Sequence, residues 1–282
     1  MARVDTVVRL YSEVLGEEVE APDEPSRIVS LSPAITEILY RLGLEDKVVG
    51  VSFYCHKPPR AKDKPKVGSY YKVLYDKLEE LKPDLILTTT GAQRKVLEEI
   101  RSRGFTLYPI PLPVTVYGLL DEIRIVGIVT GRIDESRRLA RDSMKLLYKL
   151  QDSLRGVKLY YEIFLGGPVS AGAHSYIDDL LRHMGAVTPF SHKRQTWVIN
   201  PSPEEVLEFD PDVILYEKAP YTNLTLEKVL EDFKSRGLGG LRALRDGRIV
   251  LLEPDTLAHY GPSIFQDAQE IAKTVRRTLG KG

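Results

Sequence analysis

The chain has 282 residues, and its 40 Lys and Arg residues are matched by 40 Asp and Glu residues, so the formal net charge at pH 7 is zero. This balance leaves no electrostatic footprint for nucleic acid or an anionic membrane, and 43% hydrophobic with 28% charged residues indicate a globular chain. The single cysteine, Cys55, excludes an internal disulfide framework and a cysteine-based structural zinc site.

Two further features concern export and origin. No apolar run approaches the roughly 20 residues that a membrane span needs, and the N-terminus as written lacks the apolar stretch and small-residue cleavage site of a secretory signal. Only two Asn and five Gln accompany the many charged residues, a balance reported for thermophile proteins, so a thermophilic source is an expectation.

The first 115 residues begin with a predicted hairpin and continue as alternating strands and helices. Residues 1–26 are predicted to form the hairpin around Gly16, a turn residue, before Pro22 and Pro25 break the chain. Residues 27–115 are predicted to form an N-terminal α/β lobe. Its predicted elements are strands at 28–31, 47–51, 84–90 and 106–111, helices at 33–43, 74–82 and 93–104, and a proline-rich loop at 52–71.

Residues 116–156 show no strand pattern and are predicted to be a helical linker. Its main helix is expected over 133–154, and 22 residues at about 1.5 Å each would span about 33 Å, enough to join two domains as a rigid rod. The alternation then resumes, so residues 157–282 are predicted to form a C-terminal α/β lobe with a closing helix. The fold class is therefore α/β, with two similar lobes of parallel sheet joined by a single long helix.

An internal repeat supports two similar lobes. The segment from Leu78 to Leu87 matches the segment from Val206 to Leu215 at an offset of 128 residues, including a shared Pro-Asp before the strand. Proline and aspartate at such a junction end the helix and begin the turn. A duplicated α/β element is the expected signature of two related lobes.

No enzyme motif is present, so the sequence predicts a protein that is not an enzyme and has no catalytic residue. The glycines lack the spacing of a phosphate-binding loop or dinucleotide fingerprint, and the serines and five histidines show no triad spacing. No protein-bound cofactor or resident metal site is predicted.

Candidate ligand-binding residues follow the predicted strands, because ligands of open α/β sheets bind at the carboxyl ends of strands. Aromatic side chains there, including the only tryptophan in an otherwise polar loop, suit a flat hydrophobic ligand with polar edges. Packing or solvation is the commoner role of any single loop tyrosine or histidine, and Cys55 is expected to be a buried, inert thiol. The candidates are Ser32, Pro33, Tyr54, His56, Tyr70, Tyr71, His174, Trp197, Asp255 and His259.

The repeat also pairs two acidic residues, Asp76 and Glu204, each in the first turn of the helix before a strand. Helix capping and the helix dipole explain both acids without any partner. The alternative is a symmetric pair of negative handles, one on each lobe, for a basic partner protein.

Four segments together resemble a known family: RIVSLSPAITEIL, VVGVSFYCHKPP, KVGSYY and LEELKPDLIL. They resemble the substrate-binding proteins of ABC importers for cobalamin, ferric siderophores and haem, and the likeness covers residues 27 to about 275. Within that family the resemblance is greatest to the cobalamin binders, through VS-x-Y followed by PP, the aromatic after VGS, and a Trp shortly before the second-lobe helix.

The resemblance implies a fold, a cargo and a partner. It implies two α/β lobes joined by one backbone helix. The implied cargo is cobalamin as first choice, then a ferric siderophore or haem, bound in the cleft. The protein is expected to be a monomer that delivers this cargo to the permease dimer. Tyr54, Tyr70 and Trp197 match corrin-contacting positions, and Asp255 and His259 fall at ligand-side polar positions. Asp76 and Glu204 match the two acids that dock onto permease arginines, a contact that would set the docking register.

Three alternatives stay open at this stage. Cys55, His56 or His174 would suit ligation of a metal centre, which keeps haem and ferric chelates among the candidate cargoes. A chelatase-like metal-inserting enzyme is the runner-up, and it would need His56 or His259 to face Glu162. The protein is expected outside the cytoplasm, held at the membrane by its transporter, if a signal or anchor precedes the chain, and in the cytoplasm if Met1 is the native start.

Overall fold

The computed structural model describes residues 6–69, 71–91, 94–220, 222 and 224–280. The chain divides into two compact units. The first unit runs to Pro113 and takes in Tyr117–Met144, and the second comprises Val114–Val116 and the chain from Lys145 onward. Within the described ranges, none of the helices is both long and apolar enough to cross a membrane.

The first unit opens with an antiparallel hairpin and continues as a parallel α/β sheet. Its elements are β1 (Val7–Ser12), β2 (Glu17–Pro22), β3 (Ile28–Ser30), α1 (Pro33–Arg41), β4 (Val48–Val51), α2 (Tyr75–Leu81), β5 (Leu85–Thr89), α3 (Arg94–Ser102) and β6 (Leu107–Ile110). The sheet order is β4-β3-β5-β6, and every pairing in it is parallel. The strands are buried apolar runs because helices cover such a sheet on its faces.

Two helices follow, α4 (Val116–Val129) and α5 (Ile133–Leu150), and α5 begins in the first unit and ends in the second. The prediction of a 22-residue helix is wrong at its carboxyl end, because α5 has 18 residues. Asp152 has a left-handed backbone (φ 55°) that ends the helical run. Its N–H then donates to the His183 carbonyl at 3.2 Å, and the Leu154 N–H donates to the Met184 carbonyl at 2.7 Å.

The second unit contains a mixed sheet of order β11-β10-β7-β8-β9. Its elements are β7 (Leu159–Phe164), β8 (Pro168–Ala171), α6 (Tyr176–His183), β9 (Trp197–Ile199), α7 (Pro203–Phe209), β10 (Val213–Glu217), α8 (Leu226–Ser235), α9 (Arg242–Arg245), β11 (Ile249–Leu252) and α10 (Ile264–Thr278). The predicted strands β7, β10 and β11 are parallel. Strands β8 and β9 were not predicted; they pair antiparallel and follow a turn at Gly166.

The sequence repeat has a structural counterpart in how each lobe's sheet begins. Asp84 accepts a hydrogen bond from the Arg27 N–H at 2.9 Å, and Asp212 accepts one from the Lys158 N–H at 2.9 Å, each just before a strand. Arg27 also donates to the Leu81 carbonyl at 2.9 Å, and Lys158 Nζ to the Phe209 carbonyl at 2.8 Å. The duplicated Pro-Asp therefore ties helix end and strand start together in the same way in both units.

Candidate functional site

The carboxyl end of β3 leads into α1 through a buried capping residue. Ser32 is fully buried, and its hydroxyl accepts the Ile35 N–H at 3.5 Å as the N-cap of α1. Its carbonyl accepts the Thr36 hydroxyl at 2.9 Å, and Pro33 fills the first helical position. Ser32 thus sets the start of the helix, and a contact of Ser32 or Pro33 with ligand stays a prediction.

In the loop after β4 the Cys55 side chain is buried, whereas those of Phe53 and Tyr54 are exposed. Cys55 is fully buried, with its Sγ 3.2 Å from the hydroxyl oxygens of Ser52 and Thr36, and burial raises the pKa of this thiol. The Ser52 hydroxyl also accepts the Tyr54 N–H at 3.2 Å. Phe53 and Tyr54 remain 45% and 37% exposed. The expectation that Cys55 is buried is confirmed, and its anchoring presents two aromatic rings at the surface.

A second loop lies beside the first and carries another aromatic side chain. The Gly68 carbonyl accepts the Phe53 N–H at 2.8 Å, which ties the two loops together. Gly68 has φ 121°, and a Cβ there would lie 2.3 Å from the Lys72 carbonyl oxygen, so only glycine fits. The Ser69 hydroxyl accepts the Tyr71 N–H at 3.2 Å, and Tyr71 is exposed. Tyr70, the other candidate here, lies outside the described residues.

In the second unit, Trp197 lines an apolar hollow. Trp197 begins β9 and pairs with Ala171 of β8, so the expectation that it lies in a polar loop is wrong. The hollow has a volume of about 290 Å³ and is lined by Leu165, Gly166, Gly167, Val169, Trp197, Ile199 and Asn200. An apolar hollow with one amide at its edge suits a flat ligand that has few polar groups on its faces.

His174 lies where β8 continues toward α6. Its N–H donates to the Gln195 carbonyl at 3.1 Å, and the Gly172 N–H donates to the Thr196 carbonyl at 3.1 Å. A Cβ on Gly172 would lie 2.3 Å from the Gln195 oxygen, so this close backbone approach requires glycine. The approach extends the pairing of β8 with the segment that precedes Trp197, and the His174 side chain is exposed.

The loop after β11 carries Asp255 and His259. Asp255 is half-buried and has a left-handed backbone with φ 60°, whereas His259 is only 3% exposed. The Tyr176 hydroxyl donates to the Leu257 carbonyl at 2.9 Å, and the N–H groups of residues 256–258 point at the buried carboxylate of Glu217. Glu217 ends the apolar strand VILYE and was not among the predicted site residues, because its contacts are to N–H groups about forty residues later in the chain.

The sequence profile of the periplasmic binding protein family matches residues 28–256, most of the chain. The chain belongs to the periplasmic binding protein family. This match confirms the resemblance that the four sequence segments carry, and the two α/β units have the fold that the resemblance implied.

Named relatives of this periplasmic binding protein are transport proteins. The uncharacterized ABC transporter substrate-binding lipoprotein YvrC of Bacillus subtilis is 24% identical over 270 residues, which cover 92% of this chain and 83% of that protein. The vitamin B12-binding protein of Vibrio cholerae is 27% identical over 206 residues, 72% of this chain and 74% of that protein. Among solved structures, the apo periplasmic heme-binding protein RhuT from Roseiflexus sp. RS-1 has a TM-score of 0.79 at 25% identity, covering 90% of this chain and 98% of that one.

Glu162, the acid that the chelatase alternative requires, is engaged in an internal ion pair in this periplasmic binding protein. Glu162 is fully buried, and Arg236 donates to both of its oxygens at 2.6 and 3.1 Å while the Tyr160 hydroxyl donates a further hydrogen bond. Burial raises the pKa of Glu162, and the Arg236 pair opposes that shift. Because these partners occupy the carboxylate, Glu162 belongs to an internal ion pair and is not an acid that faces a histidine.

The two acids of the repeat occupy equivalent places in this periplasmic binding protein. Asp76 is the second residue of α2 and Glu204 the second residue of α7, and both are exposed. Ser202 caps α7 and donates to Glu204 at 2.6 Å, which lowers the pKa of Glu204. Lys82 and Asp210 end the two helices with left-handed backbones of φ 44° and 43°. The repeat thus presents one exposed acid at the start of the same helix in each unit.

Proposed function

We propose that this periplasmic binding protein captures a metal-containing macrocycle or chelate, cobalamin first, and delivers it to the permease of an ABC importer. The observation that carries the proposal is aromatic surface on the loops that follow β4 in the first unit and beside the turn that follows β7 in the second. Phe53, Tyr54 and Tyr71 are exposed on paired loops of the first unit, and Trp197 lines an apolar hollow in the second. Exposed aromatic rings of this kind bind the flat faces of a large conjugated ligand.

The order of candidate ligands rests on separate supports. Cobalamin comes first because of the motif resemblance and because a relative covering 72% of this chain is named a vitamin B12-binding protein. Haem comes next, supported by the likeness to RhuT, and a ferric siderophore follows. Asp255 and His174 are the polar groups proposed to meet the ligand's edges, with His56 and His259 as further candidates.

Delivery is proposed to use Asp76 and Glu204. The two exposed carboxylates are proposed to pair with arginines of the permease dimer, one from each unit, as charge-assisted contacts that fix docking register. In this scheme the protein acts outside the cytoplasm as a monomer, is held at the membrane by its transporter, and catalyses no reaction.

Fluorescence of Trp197 gives a direct test, because it is the only tryptophan of the chain. Titration with cyanocobalamin, haemin or a ferric siderophore should quench this fluorescence with a saturable curve for at least one probe. A buffer blank with free N-acetyltryptophanamide corrects for light absorbed by the coloured probes. Unchanged emission with all three probes after that correction would contradict the proposal.

A further inference from the structure

Glu217 is a buried carboxylate that is not among the proposed ligand contacts. It ends β10, and its side chain is fully buried. A buried carboxylate is costly unless it is hydrogen-bonded, so its partners indicate why the fold retains it.

Those partners are concentrated on one loop. Glu217 Oε1 accepts the Thr256 N–H at 2.9 Å, Oε2 accepts the Leu257 N–H at 3.0 Å, and both oxygens lie 3.1 Å from the Ala258 nitrogen. A fourth donor, the Tyr161 hydroxyl, lies 3.0 Å from Oε2. Three consecutive backbone N–H groups form an anion-binding concavity, and here the protein's own side chain fills it.

We infer that Glu217 is a positioning residue for the loop 255–259, fixing the backbone of the segment that carries Asp255 and His259. The inference rests on the proposed function, because those two residues are proposed ligand contacts. Asp255 has a left-handed backbone (φ 60°) immediately before the three bonded N–H groups, a conformation that costs an L-residue free energy and that neighbouring contacts stabilise. Hydrogen bonds to an ionised acceptor are the strong kind that can enforce it.

The second unit offers a matched comparison in Glu162. Both carboxylates are fully buried near the ends of neighbouring strands, β7 and β10, and both accept a tyrosine hydroxyl. Glu162 accepts hydrogen bonds from Arg236 of the segment after α8 and from Tyr160, and neither donor belongs to the loop 255–259. Loss of Glu162 therefore reports the cost of disturbing a buried carboxylate without releasing the loop.

The loop amides supply a readout that does not depend on ligand. Burial raises the pKa of Glu217 to about 7, against the opposing hydrogen bonds from Ala258, Tyr161, Leu257 and Thr256. Burial, then Glu217, Tyr176 and Asp255, raises the pKa of Tyr161 in turn. The titratable groups at this end of the sheet also include the buried His259 and Tyr260, whose ring lies 5.9 Å from that of Tyr176. Amide protons that donate to a carboxylate shift when it ionises, so the N–H signals of residues 256–258 should titrate together near neutral pH.

The test compares wild type, Glu217→Gln and Glu162→Gln. Calorimetric titration with cyanocobalamin and haemin measures affinity, thermal melting measures stability, and proton–nitrogen spectra between about pH 5 and pH 9 follow the three amides. Glu217→Gln should weaken the probe that wild type binds by at least about tenfold and abolish the shared amide titration. Glu162→Gln should lower the melting temperature while changing affinity less than about twofold.

Several results would overturn the inference: unchanged affinity in Glu217→Gln, equal weakening in Glu162→Gln, or a retained amide titration in Glu217→Gln. If wild type binds neither probe, cobalamin and haem are wrong as cargoes, and the amide titration alone decides whether Glu217 holds the loop. Should Glu217→Gln not fold, Tyr161→Phe removes a single donor and should raise the midpoint of the amide titration. An unmoved midpoint in that variant would count against the inference.

Discussion

The Ala258 nitrogen lies 3.1 Å from both carboxylate oxygens of Glu217, so one backbone N–H is shared across a fully buried carboxylate. Burial is the largest influence on this group and raises its pKa to about 7 from an ordinary value of 4.5. Since the proton binds the folded state more tightly than the unfolded state, the contribution of Glu217 to stability depends on pH.

The sign of that dependence can be measured against Glu217→Gln. The folded-state pKa is raised, so the stabilisation is fully present below about pH 4.5 and is lost as pH rises through about 7. Wild type should therefore lose about 3 kcal/mol of unfolding free energy relative to Glu217→Gln between pH 4 and pH 8. Urea unfolding of both proteins across this range checks it, and a constant difference would show that Glu217 does not titrate there.

Another buried glutamate, Glu122 of α4, should lower the stability of the folded protein. Within the described residues neither of its oxygens has a hydrogen-bond partner, and burial, then the nearby Glu37, raises its pKa well above the ordinary value. Glu122→Met removes the carboxyl at similar volume and should stabilise the protein by roughly 2 kcal/mol at pH 8, with a smaller gain at pH 5.

Glu37 supplies the control for that prediction. It is nearly as buried as Glu122, but its carboxylate is ion-paired with Arg41 at 2.7 Å. Glu37→Met should destabilise the protein, because it leaves the Arg41 charge without that partner. Urea unfolding that shows the same sign for both variants would contradict this account of the two glutamates.

Tyr54 should contribute to ligand affinity and little to stability. Its ring is 37% exposed, so Tyr54→Ala should cost about tenfold in affinity for the bound probe and leave the melting temperature nearly unchanged. Tyr148→Ala is the matched control, because Tyr148 is 66% exposed on α5 and is not one of the proposed ligand contacts. Equal losses of ligand affinity in the two variants would show that Tyr54 is not part of the ligand site.

The docking proposal predicts a separation between transport and binding. Asp76→Arg combined with Glu204→Arg should abolish association with the permease and leave ligand affinity unchanged, since both acids are exposed at helix starts. Glu80→Arg with Glu208→Arg makes the same change of charge on the same two helices, also at repeat-related, exposed positions. The control double variant should still bind the purified permease in a pull-down. If both double variants fail to bind, the effect is non-specific electrostatics and the docking proposal is contradicted.

The alternation of apolar strands with amphipathic helices was sufficient to predict most of the fold. The Pro-Asp repeat also predicted a shared construction, which Asp84 and Asp212 confirm through their equivalent bonds to the start of β3 and β7. Strands β8 and β9 were missed because they form through antiparallel pairing, β8 with β7 and β9 with β8, which the residue pattern does not indicate. The end of α5 was misplaced because the N–H groups of Asp152 and Leu154 donate to carbonyls at the carboxyl end of α6, which is distant in sequence.

The candidate site was less predictable than the fold. A loop tyrosine such as Tyr54 could be named from its place after a strand, but its exposure depends on Cys55 packing inward against Thr36, a contact between separate elements. Glu217 could not be distinguished from any other strand-end acid, because its role depends on N–H groups about forty residues later in the chain. Burial and hydrogen bonding of a polar group are tertiary properties, and a single sequence does not specify them.

Calorimetric titration of the wild-type protein with cyanocobalamin measures whether the chain binds a macrocycle or chelate. We expect saturable binding at one site per chain, weakened in Tyr54→Ala and unaffected in Tyr148→Ala. The absence of saturable heat with cyanocobalamin, and then with haemin and a ferric siderophore under the same conditions, would contradict it.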